Sequence, residues 1–131
     1  MNTEEFVKRL VAIDPIEDTG SYGHYPFQLY AEGADGSIEL NALALGGDVL
    51  SCYRRMRKYV KDNAKEIFMS VDFPTGGDIH HDFVCVFSIV HGEASVLAIP
   101  YDSVTGERFP EIKESIQLSA ILAQFKQVVF K

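Results

Sequence analysis

Apolar residues recur at helical spacing in three stretches of the chain, and at strand spacing in five more. In the first stretch Phe6, Leu10 and Ile13 fall on one side, and Val7 and Val11 widen the stripe. This predicts a helix over residues 3–13. Asn2 or Thr3 can cap it, Glu4 and Glu5 suit the positive end of its dipole, and Asp14-Pro15 stops it. Phe27, Leu29 and Ala31 then alternate with Gln28, Tyr30 and Glu32. Ile38, Leu40 and Ala42 alternate with Glu39 and Asn41. Period-two alternation predicts two half-buried strands, and Gly33-Ala34-Asp35-Gly36 between them carries hairpin-turn chemistry.

A second helix is predicted over 49–63, with Asp48 as cap and Asn63 as stop. Its apolar stripe is Val49, Cys52, Tyr53, Met56, Tyr59 and Val60. A third strand spans 67–73. A fourth, over 83–90, is apolar on both faces: Phe83, Cys85, Phe87 and Ile89 on one, and Val84, Val86 and Val90 on the other. Such a strand belongs inside a sheet covered on both sides. His91-Gly92-Glu93 reads as a tight turn, and a fifth strand follows over 96–101. Pro100 cannot donate to a ladder, so it marks a strand end or a free edge. The last helix, starting at Ile112 or Ser115 and ending near Val129, shows Leu118, Ile121, Leu122, Phe125, Val128 and Val129 in register.

The expected fold is therefore a single α+β domain over residues 1–131, in the order α-β-β-α-β-β-β-α. A five-stranded, mainly antiparallel sheet is packed by helices, and the doubly apolar fourth strand calls for helices on both faces. With the Asp35-Gly36 turn in its first hairpin, this order resembles the Roadblock and profilin-like group of small domains in topology. A shared topology does not fix a function.

Length and composition are ordinary for one domain: 131 residues, 47% hydrophobic and 24% charged. No apolar run approaches the roughly 20 residues of a membrane span, and the acidic start is unlike a signal peptide. A cytoplasmic location is the expectation, with Cys52 and Cys85 as small core residues rather than a disulfide. The net charge is −7, which disfavours nucleic acid and anionic lipid as partners. That charge is unevenly spread. Arg54, Arg55, Arg57, Lys58 and Lys61 lie in a segment with no acid, leaving the remainder at −12.

Three places carry candidate chemistry. The basic side of the second helix could grip phosphate or an acidic partner, although a solvated helix face has the same composition. The loop over residues 14–26 interleaves glycines with Tyr22, His24 and Tyr25, and suits a ligand contact or lid. Ser21 there lacks the nucleophile-elbow pattern. The loop after the third strand gathers Asp72, Asp78, His80, His81 and Asp82, residue types that could hold a divalent transition metal. Its spacing fits no recognised site, and turn geometry alone also collects Gly and Asp. Gly46-Gly47-Asp48 lacks the ending of a phosphate loop and reads as a helix cap.

With no convincing catalytic constellation and a polarised charge, the leading expectation is a small cytosolic binding or regulatory module. It acts through protein contacts, with itself as a homodimer or with another protein, and needs no cofactor. One alternative is a metal-assisted enzyme built on Asp72, Asp78, His80 and His81. Another is an inhibitor or immunity-type protein whose acidic surface blocks a basic site.

Overall fold

In a computed structural model of the chain, which describes residues 1–12, 25, 27–43 and 49–131, the expected order of elements is present. The elements are α1 (Thr3–Val11), β1 (Phe27–Glu32), β2 (Ile38–Leu43), α2 (Val49–Lys61), β3 (Glu66–Phe73), β4 (Asp82–Val90), β5 (Glu93–Tyr101) and α3 (Ile116–Val129). The five strands form one antiparallel sheet in the order β2-β1-β3-β4-β5. None of the described helices is long and apolar enough to cross a membrane.

Local chemistry sets most boundaries. The Asn2 side chain accepts from Glu5 N at 2.8 Å and caps α1. Asn63 adopts the left-handed conformation (φ 57°) just past α2. Ala64 N then bonds Tyr59 O, and Asn63 N bonds Val60 O. This is the paired-bond ending in which an αL residue satisfies the last carbonyls of a helix. His91 and Gly92, both at positive φ, make the two-residue turn between β4 and β5. Gly36 (φ 86°) closes the first hairpin, where Asp35 Oδ1 accepts from Ser37 N and Oγ. Those two bonds hold the Asp35 carboxyl below its ordinary pKa. The caps expected at Asp14-Pro15 and Asp48 lie outside the described residues.

The alternation of β4 divides the interior into two layers. Phe83, Cys85, Phe87 and Ile89 face α2 and α3, where Tyr53, Met56, Leu118, Ile121, Phe125 and Val129 meet them. Val84 and Val86 face the opposite way, toward Phe6 and Leu10 of α1, with Tyr30, Phe68, Leu97 and Tyr101. Both cysteines are buried and neither is in a disulfide, and burial pushes the Cys85 thiol well above its ordinary pKa. The Tyr53 hydroxyl sits inside the first layer without a hydrogen-bond partner among the described residues.

The two sheet edges differ. The outer side of β5 is covered by the segment that follows it. Ala98 and Ile112 exchange backbone bonds of 2.9 and 2.8 Å, and Phe109 N donates to Pro100 O at 2.9 Å. Pro100 thus sits on an edge strand, as its missing N–H requires. Ile112 extends the sheet edge, and α3 starts at the Ser115 cap. On β2 the expectation of a half-buried strand is corrected. Ile38 and Leu40 are 61% and 54% exposed. They lie on the α1 side of the sheet, across from Glu32 and Tyr30, but α1 lies against β3 and β4.

Candidate functional site

The amphipathic pattern of α2 positions its cations. Cys52, Tyr53 and Met56 anchor one side of the helix in the core. Arg54, Arg55, Lys58 and Lys61 are exposed and Arg57 is half-buried. The Arg55 guanidinium lies 5.5 Å from the centroid of the buried Phe27 ring, so one cation is oriented by an aromatic face. Among the described residues none of the five makes an ion pair. The helix therefore presents several cations to solvent on an otherwise acidic protein.

Beside the C-terminal end of α2 a shallow cleft of about 340 Å³ opens toward the first hairpin. Asp35, Glu39 and Asp62 line it, together with Tyr59. Burial, and then a bond to Glu39, push the Tyr59 phenol up to about 12. Acidic cleft and basic helix face are thus neighbours on one side of the sheet.

The loop after β3 does not gather its candidate ligands into one place. Asp78 Oδ2 accepts from Ile116 N and its Oδ1 from Gln117 N, both at 3.1 Å. With Ser115 Oγ accepting from Leu118 N at 2.9 Å, the carboxylate completes the cap of α3. Ile79 N donates to Gln117 Oε1 at 3.1 Å. Gly77 (φ 58°) lets the loop lie this close, because a Cβ there would fall 2.7 Å from the Gln117 side chain. Asp82 Oδ1 accepts from Thr75 N and Thr75 Oγ1. The His81 ring stacks on Phe109 with centroids 4.2 Å apart, and His80 is exposed. Among the described residues no group of three His, Cys, Asp or Glu is placed to hold a metal ion.

Asp78→Ala should therefore lower stability by about 1 kcal/mol, as loss of a helix cap does, read as a lower urea midpoint at unchanged slope. A zinc-dependent rise in Tm that this substitution abolishes would contradict the capping role.

Asp72 belongs to a separate cluster. Its Oδ2 accepts from Tyr25 N at 2.8 Å and from the Tyr101 hydroxyl through a short bond. The Tyr25 and Tyr101 rings meet edge-on at 4.9 Å, and Arg108 Nη1 reaches the Tyr25 hydroxyl at 3.4 Å. Tyr25 and Tyr101 are buried, so the aromatic that the sequence suggests as a ligand contact is a packing residue. Tyr22 and His24 lie outside the described residues. Sequence reading misses Tyr101 and Arg108, because one ends a strand, the other sits in a turn-rich loop, and neither has a near neighbour in sequence to mark it. It also misses the exposure of Ile38 and Leu40, since alternation identifies the two faces of a strand but not how far a covering helix extends.

No family model, curated protein or solved structure matches the chain, so its function rests on the arrangement of these residues.

Proposed function

We propose that the chain is a non-catalytic binding module that works through protein contacts, as a homodimer, and that the basic side of α2 receives acidic protein surface. The carrying observation is the set of cations on α2 without ion pairs among the described residues, on a helix whose opposite side is fixed in the core. Fixing the helix pre-orients these charges, which lowers the ordering cost of binding. Their surroundings carry the opposite sign, so a second copy offers the kind of acidic surface that this helix face would receive. A net charge of −7 turns the choice away from nucleic acid, and a cytoplasmic setting fits two buried cysteines that form no disulfide.

A fluorescent decaglutamate peptide tests the charge reading. Binding is expected to weaken as salt rises and to fall on the order of tenfold in the double variant Arg54→Glu, Arg57→Glu. Equal affinity in wild type and variant, or a preference for a duplex DNA fragment over the peptide, would remove the basis for this reading.

A further inference from the structure

We infer that two copies of the chain join through the outer edge of β2, in antiparallel register about Leu40, to make one continuous sheet. This rests on the homodimer reading above and assigns it a surface.

The asymmetry of the sheet edges points there. The edge of β5 is covered by residues 108–112, whereas among the described residues nothing pairs with the outer side of β2. Natural edge strands are blunted by proline, lysine, a bulge or a cover. β2 has the sequence Ile-Glu-Leu-Asn-Ala-Leu, with no proline or lysine and Glu39 as its one charge, and it pairs with β1 residue for residue, without a bulge. It also presents Ile38 and Leu40 to solvent on one face. A backbone edge that pairs with nothing among the described residues asks for a strand, and exposed apolar residues beside it ask for apolar cover. A second β2 supplies both.

Pleating restricts the register. Residues directly opposite in an antiparallel pair share a face, and a two-fold axis normal to the sheet preserves faces. Only registers in which some residue meets its own copy satisfy both conditions. Centring on Glu39 would set two carboxylates opposite each other, which is destabilising. Centring on Leu40 places Leu40 against Leu40, Glu39 against residue 41 and Ile38 against residue 42. The exposed apolar positions of both copies then form one cluster on the α1 side.

Charge on the other face fits the same arrangement. Arg55 lies over Phe27, which pairs with Leu43 at one end of β2. The cleft with Asp35, Glu39 and Asp62 lies toward the other end. Antiparallel pairing brings each Arg55 end beside the acidic end of the other copy, so the attraction occurs twice.

Light scattering at 10–100 µM is expected to give twice the 14.6 kDa chain mass for the wild type. Leu40→Lys, at an exposed position, should keep the circular dichroism spectrum and weaken self-association on the order of tenfold or more. Leu40→Cys should cross-link to its own copy on mild oxidation, because opposed residues lie about 5 Å apart. Ile38→Cys should not, since in this register its own copy lies about 13 Å along the strand. A dimer that survives Leu40→Lys, or cross-links at residue 38 and not at 40, overturns the assigned surface and leaves the homodimer reading intact. A wild type that stays monomeric at 100 µM overturns both, even if β2 then captures a strand from a different protein.

Discussion

Phe87→Ala is expected to cost about 4 kcal/mol, a large share of the stability of a domain whose total is typically about 5–15 kcal/mol. Phe87 is fully buried on β4 and meets three other rings: Phe125 at 4.5 Å, Tyr53 at 5.3 Å and Phe73 at 6.5 Å between centroids. It therefore joins α2, α3 and the sheet at one point. Removing it forfeits the transfer of a phenyl ring from water and leaves a cavity that strands on either side cannot close. Tyr53 also loses an edge-on partner, worth about 0.5–1.5 kcal/mol beyond burial. Denaturant unfolding at unchanged slope reads the loss. Ile116→Ala serves as control, since that side chain is exposed at the start of α3 and should change stability by less than about 0.5 kcal/mol. A loss below about 1 kcal/mol for Phe87→Ala would mean that the layer between the sheet and the two helices is not the main source of stability.

That layer is legible in the sequence because β4 states its own environment. A strand apolar on both faces demands two covers, and the chain offers amphipathic helices to supply them. The start of α1 and the end of α2 are legible for a similar reason: Asn2 and Asn63 act within a few residues of themselves. What sequence pattern could not reveal depends on distant partners. Asp78 and His81 sit close together in the chain, yet one caps a helix some 38 positions away and the other stacks on Phe109. Turn chemistry and metal chemistry use the same residue types, and only the tertiary partner separates them. Tyr25 belongs to a loop that reads as a ligand contact, but its backbone N–H is bonded to Asp72 across the sheet. Ile38 and Leu40 show the converse. Their alternation marks a face correctly, while the placement of α1 on β3 and β4 decides that the face is wet at β2. The exposed edge, on which self-association is argued, is thus a property of where a helix stops covering a sheet.

The cluster around Asp72 should respond second most strongly. Asp72→Ala removes the acceptor of both the Tyr101 hydroxyl and Tyr25 N. Tyr101 has no solvent exposure, so its hydroxyl would lose a charged acceptor at a site closed to water. Losing a buried hydrogen bond to a charged acceptor costs about 1.5–3 kcal/mol, and losing the Tyr25 bond as well brings the expected total to about 3 kcal/mol. Tyr101→Phe removes donor and hydroxyl together and should cost less than Asp72→Ala. If the two act through one bond, the double variant should fall short of the sum of the single effects. Alkaline titration gives an independent reading of Tyr101. Burial, and then the Asp72 carboxylate, push its phenol well above the ordinary value, so the folded chain holds this proton after the unfolded chain has released it. Above pH about 10 the unfolded state binds fewer protons, and stability falls with rising pH by about 1.4 kcal/mol per unit for each such tyrosine. Burial places Tyr53 in the same class. Replacing Tyr101 with Phe should therefore flatten the decline between pH 10.5 and 11.5 by one proton's slope, about 1.4 kcal/mol per unit. An unchanged slope would show that the Tyr101 hydroxyl is not held neutral inside the fold, and the short bond to Asp72 would lose its part in fixing the end of β5 to β3.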